Sequence, residues 1–339
     1  MTTHGAIQRW IALAALLASA ARVDAQETRQ YRYVMGTSVE VQAFGADEGT
    51  RRAAIDEAFA AFDEVDRLMS NYRADSELAR VNSDAAHGAV TISDAMLAVL
   101  NAAQRVSVAS NGAFDVTVGP LVKLWGFHDK TPHVPSQPEL ASVRPLVDYR
   151  NVRLDADHKT VQFTQPGVEL DLGGIAKGFA VEIAAGVLRR RGLAGFIDAG
   201  GNQYLLGTPP GKRMWSIGIK NPVAPSQVLG VIETSETSVS TSADYYNFLV
   251  AGSRQYGHIL DPRTLEPSTA ALSVTIVSRD GTLADAMSKA AFVLGPTAGL
   301  ALVDSFPGMS AVIVYRKPDG TLGVAVSEHL AGAYHPSTS

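Results

Sequence analysis

An α+β fold is what the sequence predicts, and three observations carry the prediction. Short segments of β-branched and aromatic residues at near-alternating positions mark strands, and longer segments with apolar residues every three or four positions mark helices. The two kinds are mixed along the chain without a strict strand-helix-strand repeat. The 339 residues, 46% hydrophobic and 19% charged, suffice for a substantial core, and neither an internal repeat nor a low-complexity linker divides them. A single compact unit, possible as two intimately packed lobes, is expected.

Residues 1–25 differ from the rest. Arg9 precedes an apolar run from Trp10 to Ala21, and small Ala25 stands just before Gln26, the pattern of a secretory leader cleaved after Ala25. An uncleaved membrane anchor is the other reading, but an apolar run of about a dozen residues falls short of the roughly 20 that span a bilayer, so a cleaved leader is expected, with residues 26–339 carrying no membrane span and working in the periplasm or another extracytoplasmic space. Residues 31–44 read as a strand interrupted at Gly36. Ile55, Phe59, Phe62, Val65 and Met69 mark an amphipathic helix, and the cap signal Ser93-Asp94 opens a second helix through Met96, Leu97, Leu100 and Val106. Four prolines make 127–145 the expected irregular region. Strands are expected at VRLD, TVQF and VELD, and GFIDAGGNQYLLG reads as strand, glycine turn, strand. LSVTIVS then reads as a buried strand, LADAMSKAAFVLG as a helix closed by Gly295-Pro296, and SAVIVYRKPDGTLGVAVS as a hairpin turning at Pro318-Asp319-Gly320.

Composition excludes some functions. A net charge of -5 with no Lys/Arg run longer than Arg189-Arg190-Arg191 argues against nucleic acid, whose phosphates draw on clustered positive charge. No cysteine occurs, so disulfides and a thiolate nucleophile are out.

Four motifs hold chemistry-bearing residues. In VELDLGGIAKGFAVE (168–182), Gly173 and Gly174 let backbone N–H groups approach a ligand, the helix start offers its positive end to phosphate oxygens, and Lys177 adds a point charge. Alternatively the glycines only turn a corner while Asp171 and Lys177 pair. The GxxxxGK[ST] spacing of a Walker loop is absent. In GAFDVTVGPLVKLWGF (112–127), Asp115 and Thr117 share one side of a short extended segment beside an aromatic cluster. That suits a ring-bearing ligand, or else Trp125 and Phe127 are core and Asp115 is a cap. TSADYYNFLVAGSRQYGHILDPRT (241–264) reads as a hairpin delivering His258 near Asp261, as a base near neutral pH or as a structural histidine. In ADAMSKA, Asp285 and Lys289 sit at i and i+4, on their own a salt bridge worth about 0.3–0.5 kcal/mol.

Taken in order, MGTSVEV, MSNYRADSELARVN, GAFDVTVGPLVKLWGF, LDLGGIAKGFAVE, IDAGGNQ, STSADYYNF, GHILDPRT and ADAMSKAAFVLG resemble the ApbE family, the FAD:protein FMN transferases, over nearly all of residues 26–339. The resemblance implies a T-fold-like set of mixed sheets packed with helices. It implies that Met35, Tyr72, Ala113, Phe114, Asp115, Asp171, Lys177 and Ile259 hold FAD, that the Gly174 carbonyl and Asp285 ligate Mg2+, and that His258 is catalytic. The implied reaction moves FMN from FAD onto a Ser or Thr hydroxyl of an acceptor flavoprotein subunit and releases AMP. Four positions depart from the family's pattern: Lys289 where it has threonine, Ala243 and Leu265 where it has glycine, and Glu182 where it has aspartate. An ammonium repels magnesium, so Lys289 implies a weakened metal site; if Lys289 swings to solvent, Asp285, Ser288 and the Gly174 carbonyl remain as ligands. Two other readings stay open, an FAD pyrophosphatase giving FMN and AMP, and a non-catalytic flavin-binding protein.

Overall fold

Period-two alternation of apolar residues builds one large sheet. In the computed structural model, which describes residues 27–337 apart from 130, 245–247 and 252–253, eight strands lie side by side in chain order, every neighbouring pair antiparallel. They are β1 (Glu27–Val34), β2 (Thr37–Phe44), β3 (Ala194–Ala199), β4 (Asn202–Leu206), β5 (Thr237–Ala243), β6 (Ser273–Ser278), β7 (Met309–Arg316) and β8 (Leu322–Val326). Met35 and Gly36 both have positive φ, 52° and 73°, so the expected interruption at Gly36 is a tight hairpin turn between β1 and β2.

Among the described residues seven α-helices accompany the sheet: α1 (Glu48–Met69), α2 (Glu77–Asp84), α3 (Asp94–Ala109), α4 (Gly119–Leu124), α5 (Gln137–Val143), α6 (Ala176–Arg190) and α7 (Gly281–Asp304). Val41, Ile197, Ile276 and Ile313 join Ile55, Phe59 and Phe62 of α1, Val181 and Leu188 of α6 and Met287 of α7 in the main core. Their strand neighbours Val239, Val277, Val312 and Val314 belong to a second core with Ile219, Ile232 and Tyr334, from a three-stranded sheet of Trp215–Lys220, Val228–Thr234 and Tyr334–Pro336. A third, smaller core gathers Leu121, Trp125, Leu140, Leu260 and Leu265. Each fully buried Phe, Leu or Ile contributes about 1.5–3 kcal/mol, so these cores can hold the chain without disulfides. Among the described residues α7 is the one helix long and apolar enough to cross a membrane, yet it is mostly buried and packs against α6, β5, β6 and β7.

The α+β class and most elements match the sequence reading. VELD, however, is not a strand: the Asn82 side chain of α2 accepts from the Leu170 N–H at 2.8 Å and donates to the Leu170 carbonyl at 3.0 Å, replacing a partner strand. The segment holding Asp115 and Thr117 is not extended but turns at once into a 3-10 turn, Val116–Val118, because the Asp115 carboxylate caps Thr117. The region expected to be irregular contains α5, since Pro138 falls in its first turn, where a missing N–H costs nothing, and Ser136 and Glu139 form a capping box. Gly295 does end a helical segment, with φ 75° and ψ -172°, but a second begins directly at Pro296. The predicted leader, residues 1–25, lies outside the described residues, as do Tyr245, Tyr246 and Asn247 of the expected hairpin, of which Phe248–Ala251 and Arg254–Gly257 pair as antiparallel strands.

Candidate active site

The glycine turn before α6 is fixed from both ends. The Asp171 carboxylate accepts from the Gly173 N–H at 2.7 Å, and the Lys177 ammonium donates to the Gly173 carbonyl at 2.9 Å. Asp171 and Lys177 therefore organise Gly173 rather than pairing with each other. A side chain at Gly174 would come within 3.2 Å of the Phe114 ring, so glycine lets the turn lie flat on that aromatic. The residue before α6, Ile175, supplies no side-chain cap; the Ala176 N–H donates to the Leu172 carbonyl at 2.9 Å and the Gly178 N–H to the Asp285 carboxylate at 2.9 Å, so the helix start offers an anion its dipole more than free N–H groups.

Beside the turn stands an aromatic pair that sequence reasoning only half found. Tyr72, 69% exposed, stacks on His128 with ring centroids 4.8 Å apart and planes 8° from parallel. Partial burial, then the charges of Asp171 and Asp129, hold the Tyr72 hydroxyl above its ordinary pKa, which places Asp171 near this ring. A cleft of about 320 Å³ opens here, lined by Asn71, Asn82, Lys123, His128, Glu169 and Asp171. His128 follows the Leu-Trp-Gly-Phe cluster directly, the one sequence signal that pointed to it. Ala113, Phe114 and Asp115 lie beneath, nearly fully buried. Asp115 accepts from the Thr117 N–H and hydroxyl, both at 2.7 Å, and burial raises its pKa to about 6. It is the cap, and Trp125 is core, its indole N–H donating to the Leu265 carbonyl. Met35, half-buried, packs on the main core from the β1-β2 turn.

His258 has a carboxylate partner, but not the one expected. Asp261 is taken up by Arg263, accepting from its backbone N–H at 2.9 Å and from two guanidinium nitrogens at 2.9 and 2.8 Å. Instead Asp244 Oδ1 lies 3.6 Å from His258 Nδ1, with the imidazole side chain 37% exposed. Asp244 Oδ1 is itself buried with no hydrogen-bond partner, and burial raises this carboxyl to about 7, against a hydrogen bond from the Ile259 N–H. Ile259 is buried in the same core cluster as Ala113, Phe114 and Ile175, which ties the histidine loop to the glycine turn. Asp244 lies in the quoted motif, yet nothing in its spacing marks it as the partner of a residue fourteen positions on.

Where α6 meets α7 the two helices cap each other. Asp285, fully buried in α7, accepts from the Gly178 N–H of α6 at 2.9 Å, and Glu182 of α6 accepts from the Thr282 N–H and hydroxyl at 3.1 and 2.8 Å. The helices touch because Gly178 has no side chain; a Cβ there would meet the Gly281 carbonyl at 2.2 Å. The other Asp285 oxygen is paired with the Lys289 ammonium, whose side chain is 22% exposed. Burial lowers the Lys289 pKa, the Asp285 charge opposes this, and the Lys177 charge adds to it, so the two lysines sense each other. The Ser288 hydroxyl, fully buried, donates to the Asp285 carbonyl and pairs with Ser242 of β5, both at 2.7 Å.

Comparison with known proteins bears on this arrangement directly. Residues 35–313 match the model of the ApbE family. The chain belongs to the ApbE family. It is 32% identical over 311 residues to the FAD:protein FMN transferase of Treponema pallidum, covering 87% of this chain and 86% of that one. With the FAD:protein FMN transferase of Vibrio cholerae it shares 30% identity over 344 residues, 98% of this chain and all of that one. The crystal structure of the ApbE protein from Thermotoga maritima superposes with a TM-score of 0.82 at 30% identity, covering 91% of this chain and 99% of that one. Flavin transferase ApbE from Vibrio cholerae gives a TM-score of 0.82 at 29% identity over the same shares.

Two departures from the ApbE pattern acquire physical content. Leu265 takes the left-handed backbone at φ 66° that a glycine would adopt without cost, and its side chain is buried in the third core. At the position expected to hold magnesium the donors present do not fit a divalent cation. Mg2+ requires about six oxygens in near-octahedral array. One Asp285 oxygen is held by an ammonium and the other by a backbone N–H, and Ser288 is buried in hydrogen bonds of its own. Among the described residues no cluster of three His, Cys, Asp or Glu side chains offers an alternative.

Proposed function

We propose that this chain is an FAD:protein FMN transferase that moves FMN from FAD to a Ser or Thr hydroxyl of an acceptor flavoprotein subunit. The observation that carries the reading is the pairing, in an ApbE chain, of a carboxylate-backed His258 with a glycine turn and helix start that carry Lys177 and Lys289. In this reading the Tyr72-His128 stack and the cleft beside it receive a flat ring of FAD, and the glycine turn with the two ammoniums receives the diphosphate. The acceptor oxygen attacks the phosphorus of the FMN half, the bond from that phosphorus to the bridging oxygen breaks, and AMP leaves with the bridging oxygen and its electron pair. His258 takes the hydroxyl proton, held by Asp244 with its lone pair on Nε2.

Export belongs to the same proposal, supported by the apolar run from Trp10 to Ala21 and small Ala25, and it places the acceptor outside the cytoplasm. Mass spectrometry of an exported flavoprotein subunit incubated with this chain and FAD tests the reading. The expected result is an FMN phosphoester on a Ser or Thr with AMP released in equal amount. FMN and AMP with an unlabelled acceptor would make the chain an FAD pyrophosphatase, and bound FAD without AMP a flavin-binding protein.

A further inference from the structure

We infer that the Lys289 ammonium takes the place of a divalent cation in this chain, so that the diphosphate of FAD is bound between Lys289 and Lys177 without metal. The inference rests on the FAD-binding reading above and goes beyond it by naming what neutralises the phosphates. Three observations support it. The Lys289 stem passes beneath the glycine turn, its Cγ 3.9 Å from where a Cβ on Gly174 would stand. Its ammonium is anchored on Asp285, whose second oxygen is fixed by the Gly178 N–H of the helix that starts at this turn. On the other flank the Lys177 ammonium bonds the Gly173 carbonyl, so the glycine pair lies between two lysines.

Electrostatics explains why such a pair serves. Two like charges near one another are unfavourable; Asp285 pairs with Lys289, while Asp171 is spent on the Gly173 N–H, so among the described residues the Lys177 ammonium is bonded to a carbonyl and to no carboxylate. A diphosphate supplies the missing negative charge. An ammonium is a compact point charge with three donors, able to bond phosphate oxygens while keeping its contact to Asp285. Because it is covalently attached, its occupancy does not depend on the cation content of the medium.

The test is FAD binding by the parent protein, followed calorimetrically or by flavin fluorescence, in excess chelator and in excess Mg2+. Equal affinity in the two conditions is expected, together with no heat of Mg2+ binding to the FAD complex. In Lys289→Thr, affinity in chelator should fall about tenfold to a hundredfold, the loss of one charge-assisted contact, and Mg2+ should restore part of it. Lys289→Arg, which keeps the charge and guards against a variant that fails to fold, should bind FAD in chelator more tightly than Lys289→Thr. A parent that binds FAD only with Mg2+, or that binds Mg2+ as its Lys289→Thr variant does, overturns the inference and leaves the transferase reading intact. A folded parent that binds no FAD in either condition overturns that reading itself.

Discussion

At the scale of single residues, His258 and Asp244 make the sharpest prediction. Replacing His258 by Ala removes the proposed general base, and such losses cost about 100- to 10,000-fold in rate. FAD affinity should stay near the parental value while transfer falls by that factor; transfer at the parental rate would reduce His258 to a structural residue. Asp244 fixes the pH dependence. Its carboxyl is raised to about 7 by burial, so it is protonated below that pH and becomes a carboxylate above it. The carboxylate accepts from the His258 Nδ1–H more strongly than the neutral acid and stabilises the imidazolium that forms, so transfer should rise as pH increases through about 7. In Asp244→Asn that step should disappear from the pH-rate profile, and an unchanged profile would show that the carboxylate does not act on the imidazole. The motifs named chemistry-bearing residue types and left each role open; the family resemblance assigned the roles, and neither showed the partners. His258 was expected beside Asp261, three positions from it, whereas the chain brings Asp244 to it through a hairpin and ties Asp261 to Arg263. Leu265 shows the same limit: the letter announces an apolar residue, and only the fold reveals that it occupies a left-handed turn.

At the scale of elements, the segment from 168 to 171 decides how the glycine turn is held. It has strand composition but no strand partner, and a side-chain amide from α2 satisfies Leu170 instead. Asn82→Ala would leave a buried N–H and carbonyl unpaired, at a cost of about 1–3 kcal/mol. Chemical denaturation should register that loss, and FAD affinity should fall with it, because Asp171 and Gly173 follow directly; unchanged values of both would mean that the amide is dispensable. Composition predicted a strand here and the segment is none, since β-propensity reports how a residue fits a pleated surface and not which donor meets it. Hydrophobic periodicity found α1 and α3 because each buries a continuous stripe, while α2, eight residues long with two buried residues, left too short a pattern to read.

For the whole molecule, buried acids set how stability varies with pH. Asp115 is raised to about 6 and Asp244 to about 7, in both cases chiefly by burial. A carboxyl whose folded pKa lies above its unfolded value stabilises the fold below the unfolded pKa, and that contribution is lost as pH rises through the folded pKa. Unfolding free energy should therefore decrease from about pH 4 to pH 7, by on the order of 2–3 kcal/mol from Asp115 alone. Denaturant titrations across that range check the sign, and a rising stability would contradict it. The sheet itself was legible in outline because its strands follow chain order, whereas the site depends on contacts between remote segments. Asn82 reaches Leu170 across 88 positions and Gly178 reaches Asp285 across 107. Closing such long loops is costly until the rest of the chain is in place, so these contacts form late, on the native side of the folding barrier. A ligand that needs them can hold the finished molecule together but cannot help to assemble it. FAD should therefore slow unfolding in stopped-flow measurements in proportion to the stability it adds, and leave the refolding rate unchanged. Faster refolding with FAD would mean that the turn is built early. The flavin then acts as a lock fitted after folding rather than as a template for it.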